Sequence, residues 1–444
     1  MRVLLPQSHW LLAAVLLLSL GDPAGAQAPL QRMLAHGGVE PSAMLNEPTV
    51  SSDGSALLFV SIASNMLPGG SSGSQVYRYR FDTGVLQRIS HAPGSNIPGN
   101  RDSYAPAASA DARVVVYESL AENLLPGSNL HSHIYRVQTD TDSLTRIDST
   151  AQGTASNGDG MTPAISADGR YTAFVSFATD LVPPDGNGFR DLFLHDAVSN
   201  TVSILSRNRF GQMADAEVAL LNPQSISGDG RYVVFTSSAS GMTVAGGNGA
   251  AQVYLHDRVA GSNTLLSQGS GGVLGSAWSA DPTISPNGRY VAFASIASNL
   301  VGAANPGRLY RLDRNTGTLI AVPRPDAASF TPPLSVTPNY CGAPYVSDLG
   351  NVLATCYFTP PLQPQVFAWT ASNARWRLVS HAAGSPSSYG NNRSGSGVGW
   401  SANGQRLAFM SDASDLLPGD TNGSRDIYFE ALTPPGLLFG DGFE

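Results

Sequence analysis

Apolar residues recur along this chain in short bursts with an alternating spacing. In residues 171–176 (Tyr-Thr-Ala-Phe-Val-Ser) large and small side chains take turns. Period two is the mark of a β-strand with one packed face. After residue 26, no stretch keeps apolar residues at i, i+3, i+4 and i+7 over three turns, so helices are not expected. Asp-Gly, Asn-Gly and Pro-rich breaks separate the bursts. Glycine accepts the positive φ that tight hairpins demand.

The bursts are copies of one unit. ISADGRYTAF at 165–174 returns as ISGDGRYVVF at 226–235 and as ISPNGRYVAF at 284–293. Six copies place a Pro just ahead of a short strand: Pro48, Pro106, Pro163, Pro223, Pro282 and Pro344. The spacings are 58, 57, 60, 59 and 62 residues, and a seventh copy starts near Val398 without the Pro. Pro at the first position of a strand costs no ladder bond. The third copy predicts strand a at 164–166, a turn at Asp168-Gly169, strand b at 171–176, a loop rich in Pro, Gly and Asn, strand c at 191–195, and strand d at 201–206. Four antiparallel strands in this span make one propeller blade, and a blade must pack between neighbours to bury both faces.

The chain ends support closure into a ring. The seventh copy reaches Pro434-Pro435 before any fourth strand, while residues 30–38 (LQRMLAHGG) match residues 86–94 (LQRISHAPG) at the end of the first copy. The expected fold is therefore all-β: a seven-bladed β-propeller of four-stranded antiparallel blades over residues 27–433. An N-terminal strand at 30–36 would complete the last blade and remove an exposed edge.

The repeats resemble the TolB-type β-propeller repeats of bacterial periplasmic and secreted proteins. The residues that carry the resemblance are Ser166, Asp168, Gly169, Arg170, Tyr171 and Phe174, with Ser227 to Phe235 and Ser285 to Phe293 in the next two copies. Ser51/Asp53/Gly54 and Ser401/Asn403/Gly404 are looser copies. The resemblance implies a fold; such propellers serve as scaffolds, binding modules and sometimes enzymes. The extra N-terminal domain of TolB has no room here, and neither has the hydrolase domain of prolyl-oligopeptidase-like enzymes. Residues 69–73 (GGSSG) fit G-x-S-x-G only formally, since they lie in a loop without the strand-turn-helix context.

Composition narrows the setting. Residues 1–26 read as a signal peptide, with an apolar run from Trp10 to Leu20 and Ala24-Gly25-Ala26 behind it. The run is too short to span a bilayer comfortably, and no second one follows. A soluble monomer in the periplasm or outside the cell is expected. The net charge is −8, with 25 basic residues, which does not suit nucleic acid. In an oxidising compartment Cys341 and Cys356 suit one disulfide, closed by a hairpin turning near Asp348–Gly350; two free buried thiols are the rival reading.

Three local patterns carry candidate chemistry. The b–c loops hold Asp185, Asn187 and Asp191 in the third copy, and Asp420, Asn422 and Asp426 in the seventh. Their oxygens could gather around calcium, although no terminal Glu completes a calcium loop and Asn-Gly also simply builds turns. His36, His91 and His381 follow strand d and could share a metal, but blade spacing and the lack of a recurring carboxylate favour surface loops. His195-Asp196 and His256-Asp257 end strand c, where they suit turn backbones better than acid–base work. Sialidase and quinoprotein patterns are absent, and no paired carboxylates recur. No cofactor is expected beyond a candidate calcium. Residues 434–444, ending in Phe443-Glu444, resemble short tails of exported proteins, and either sorting, docking or disorder fits them. The expected function is binding of a protein or glycan of the cell envelope through one ring face. The alternative is a hydrolase or lyase with its site in the central channel.

Overall fold

The computed structural model describes residues 29–71, 73–220, 222–302 and 308–431. The expected signal peptide and the C-terminal tail lie outside the described residues. Each copy of the repeat forms one four-stranded antiparallel sheet, and there are seven sheets. In blade 3 the strands a to d are Gly160–Ile165, Tyr171–Ser176, Asp191–Asp196 and Thr201–Ile204, paired in chain order. Blade 7 is built from Ser394–Trp400, Arg406–Ser411 and Asp426–Ala431, with Gln31–Arg32 as its outer strand. Gln31 pairs with Phe429 and Arg32 with Tyr428, and the Met33 amide donates to the Ile427 carbonyl at 2.8 Å. The pairing is shorter than the sequence suggests, because a 3-10 turn at His36–Gly38, with Gly37 and Gly38 at positive φ, bends the chain away. Strand a of blade 1, Leu45–Val50, packs on strands a and b of blade 7, so the ring is closed.

The pleat decides what each blade buries. In six blades an aromatic of strand b stacks on one directly opposite in strand c, as in Phe174–Phe193 and Phe293–Tyr310, with centroids 5.5–5.8 Å apart. All twelve rings are fully buried. Each such ring contributes roughly 3–5 kcal/mol against Ala, and stacking adds about 1 kcal/mol.

The recurring Ser-x-Asp-Gly-Arg-Tyr is a self-contained turn. Ser166 Oγ donates to Asp168 Oδ1 and accepts from the Tyr171 amide at 2.9 Å, while Asp168 Oδ1 also accepts from the Arg170 amide at 3.0 Å. Gly169 supplies φ +73°. Glycine is also required by the neighbour: a Cβ on Gly230 would stand 2.3 Å from the Tyr171 ring of the preceding blade.

The repeated Pro does not begin strand a. In blades 1, 2, 3 and 5 strand a starts three residues before the Pro and in blade 6 four, and in these five blades the residue before the Pro forms a β-bulge. Glu47, Ala105, Thr162, Asp281 and Ala343 hold φ of 46–53°, and the ladder register shifts beside each. A bulge frees the ladder from needing the N–H that Pro lacks. Cys341 accordingly lies inside strand a of blade 6, Tyr340–Val346. It stands opposite Cys356 of strand b, and the two are joined by a disulfide with Cα atoms 4.0 Å apart. No helix among the described residues is long and apolar enough to cross a membrane.

Candidate functional site

The a–b and c–d turns lie on one side of the ring, the turn face, and the b–c and d–a loops on the other, the loop face. A belt of hydrogen bonds joins consecutive a–b turns all round the turn face. Asp53 N bonds Ala110 O, Ala110 N bonds Ala167 O, Ala167 N bonds Gly228 O, and Gly228 N bonds Pro286 O, at 2.7–3.1 Å. Asn287 N donates to Asp348 Oδ1 at 2.7 Å, and Asp348 N through Ala402 to Ser52 completes the circle. The belt draws the turns together around a small axial cavity. All seven blades line it, through Val50, Ala107, Ile165, Ile226, Pro286, Tyr345 and Trp400. This end of the channel is narrow and mostly apolar.

Towards the loop face the channel carries carboxylates that sequence reasoning missed. Glu47 and Asp281 occupy bulge positions, and Glu118 lies near the end of strand b in blade 2. Each holds an amide at the bulge of the next blade. Glu47 Oε2 accepts from the Ala105 amide at 2.6 Å and Glu118 Oε2 from the Thr162 amide at 3.3 Å, while Asp281 accepts from the Ala343 amide. Burial raises the pKa of all three, and the charge of Glu47 pushes Glu118 further up. Glu47 keeps an exposed surface along the channel even though the ring surrounds it. The nearby phenol of Tyr104 is pushed up to about 12, by burial first and then by Asp102, Glu118 and Glu47. The available signal was an acid directly before the repeated Pro, as in Glu47-Pro48 and Asp281-Pro282.

Exposed apolar side chains gather at the loop ends of the two inner strands. Met44 and Ile62 flank blade 1, Phe177 follows strand b of blade 3, and Trp278 and Ile296 flank blade 5. Trp278 is 40% and Ile296 51% exposed. Thirteen of the seventeen exposed large apolar residues belong to loop-face segments. Exposed apolar area concentrated on one side of a protein marks an interaction surface.

The two acidic b–c loops sit at the head of strand c, where the other blades show the local logic. Gln75, Gln252 and Gln365 occupy that position and accept from Ser90, Ser267 and Ser380 at 2.6–2.7 Å. Asp191 does the same with Ser206 Oγ at 2.5 Å and accepts from Asn187 Nδ2 at 2.7 Å. Burial raises the pKa of Asp185, and the nearby Asp191 charge raises it further. In blade 7 the Arg32 guanidinium stands 3.4 Å from Asp420 and 3.5 Å from Asp426, and Asn422 Nδ2 donates to Asp426 Oδ1 at 3.5 Å. Blade 2 places His133 at this position, bonded to Asp148 at 2.9 Å with both side chains buried.

His36, His91 and His381 remain apart, each in its own d–a loop; His91 lies 3.4 Å from Asp142, and His381 Nδ1 contacts the Ala382 carbonyl at 3.0 Å. His195 and His256 pair with Asn200 and Asn263 instead of their adjacent aspartates, which bind Arg170 and Arg231. Among the described residues no group of three or more His, Cys, Asp or Glu side chains is placed to hold a metal ion.

No protein-family model matches the chain, and no curated protein matches its sequence. Solved structures do match. An oligogalacturonate lyase in complex with manganese is 14% identical, with a TM-score of 0.55 over 92% of this chain and 98% of that one. The β-propeller domain of the trilobed protease from Pyrococcus furiosus is 11% identical, with a TM-score of 0.52 over 90% of this chain and 98% of that one. TolB from Acinetobacter baumannii is 17% identical, with a TM-score of 0.40 over 75% of this chain and 62% of that one. At such identities the likeness to the lyase and to the protease domain is one of fold alone.

Proposed function

We propose that this chain is an exported binding propeller that recognises a protein or glycan of the cell envelope through its loop face. The difference between the two faces carries the reading. The turn face spends its polar groups on the belt and on Arg–Asp pairs, whereas the loop face exposes Trp278, Ile296, Phe177, Met44 and Ile62 around the open channel end. Aromatic and aliphatic anchors ringed by polar groups are what interfaces use. The disulfide supports an oxidising compartment.

The test is capture from an envelope extract by immobilised protein, with protease-treated and periodate-treated extracts separating protein from glycan. Trp278→Ala with Ile296→Ser is expected to reduce capture at least tenfold, while Leu349→Ser on the turn face leaves it unchanged. Equal capture by all three proteins would reject the loop face.

A second reading rests on Glu47 and Glu118, two carboxyls of raised pKa in one channel, the raw material of acid–base chemistry. The lyase of similar fold is described in complex with manganese. Cleavage of any polysaccharide by the wild type, lost in Glu47→Gln, would favour this second reading.

A further inference from the structure

A groove runs along the outer edge of blade 6. Its walls are the segment after blade 5, at residues 323–331, and strand d of blade 6, Arg375–Leu378. Arg324, Phe330, Arg375, Trp376, Arg377 and His381 line it. Trp376 Nε1 donates to the Pro323 carbonyl at 2.7 Å, which fixes the indole as a platform. Phe330 and Trp376 both meet Phe367 nearly edge-on, at 6.1 and 6.3 Å.

The groove is basic in an acidic chain. Arg375 has no ion pair among the described residues, and Arg324 finds only the carbonyls of Pro338 and Asn339, at 3.5 and 3.4 Å. The one acid in the lining, Asp326, is engaged by the Ala328 amide at 3.2 Å. Arg377 instead pairs with Glu430, next to Ala431, where the described chain ends. The thirteen residues that follow could extend about 40 Å. They contain Phe439, Asp441, Phe443 and Glu444, and no cation.

We propose that this groove is the docking site for the chain's own C-terminal segment, residues 439–444. Phe443 lies against Trp376 and Phe330, and Asp441 and Glu444 face Arg324 and Arg375. Three observations meet here: the chain leaves beside a groove-lining side chain, the segment is acidic where the groove is basic, and its rings match an aromatic platform. Tethering makes the encounter intramolecular, so modest contacts suffice. The proposal is independent of the loop-face reading.

Photo-crosslinking the full chain with benzoylphenylalanine in place of Phe443 tests it. The expected product is intramolecular and joins position 443 to the peptide holding Phe330 or Trp376. Arg324→Glu with Arg375→Glu should reduce that product about tenfold at low salt, with an unchanged melting midpoint, since both side chains are exposed. A chain ending at residue 433, titrated with a synthetic peptide of residues 434–444, gives a second measurement: binding is expected, about tenfold weaker after the charge reversal. Crosslinks elsewhere or only between molecules, no peptide binding, or binding indifferent to the reversal would each overturn the proposal. So would a truncated chain that binds an acidic oligosaccharide but not the peptide.

Discussion

Blades 3 to 5 and blade 6 share a topology but not a chemistry. In blades 3 to 5 the repeated Arg forks onto the Asp ending strand c, as Arg170–Asp196, Arg231–Asp257 and Arg289–Asp313, at 2.7–2.8 Å. The same guanidinium lies over its neighbouring Tyr at 4.7–4.8 Å. From the next blade, Arg258 covers Tyr171 and Arg314 covers Tyr232, at 4.0 and 3.6 Å. Blade 6 has Leu349-Gly350-Asn351 where blades 3 and 4 have Asp-Gly-Arg and blade 5 has Asn-Gly-Arg, and Ala354 where they have the strand-b aromatic. It has the disulfide and the basic groove instead. Chemistry that repeats holds the ring together. Chemistry that appears once is where a separate task can be sought.

The largest expected effect comes from removing a repeated ring. Phe293→Ala should cost about 3–5 kcal/mol, read as a fall in the denaturation midpoint. Supplying blade 6 with the ring it lacks should not help. Ala354 is fully buried, so Ala354→Phe overpacks the site and should cost about 1–3 kcal/mol. A stabilised Ala354→Phe would show that blade 6 is merely a degraded copy.

The disulfide comes next. It closes a loop of 15 residues, so Cys341→Ser with Cys356→Ser should cost about 3 kcal/mol. Hydrogen exchange should show the loss concentrated in blade 6. Protection lost equally from every blade would mean that the bridge supports the whole ring.

Smaller effects are expected from the repeated forks. All 25 basic residues are Arg and none is Lys. Lysine cannot form the planar fork or stack in the same way. Arg231→Lys should cost about 1 kcal/mol or less, because the pair is partly exposed. Arg170→Lys and Arg289→Lys should match it. A much larger loss at one site would break the equivalence of blades 3 to 5.

The architecture was legible because its determinants repeat. Ser166, Asp168, Gly169 and Tyr171 satisfy one another within a few residues, so a reader of the sequence meets the whole motif at once. The closing strand was legible for the same reason, since Leu30–Gly38 repeats Leu86–Gly94. The bulge was not, because Pro before a strand and Pro inside a bulged strand look alike in sequence. The channel acids were missed because Glu47 and Asp281 share the position before the Pro but stand in blades 1 and 5, Glu118 lies on another strand of blade 2, and only the ring brings them to one channel. The acids of the b–c loops were visible as residues, but their partners were not. Asp191 meets Ser206 one strand away, and Asp426 meets Arg32 from the opposite end of the chain.

That last contrast carries a pH prediction. Asp191 and Asp426 head strand c in blades 3 and 7, and burial raises the pKa of both. Asp191 is met by hydroxyl and amide donors. Asp426 also feels the repulsion of Asp420, which Arg32 only partly offsets, and it is raised from 3.8 to about 6. A carboxyl with a raised pKa favours the fold while it is protonated. That contribution is complete below pH 3.8 and is lost as pH rises through about 6. Wild type should therefore lose stability over this window at the blade that closes the ring. Asp426→Asn cannot ionise, so its melting midpoint relative to wild type should climb as pH goes from 4 to 7. Asp191→Asn should climb less. An Asp426→Asn midpoint that follows wild type at a constant offset would mean that the closing strand does not sense this carboxyl, and that the seam behaves like any other boundary between blades.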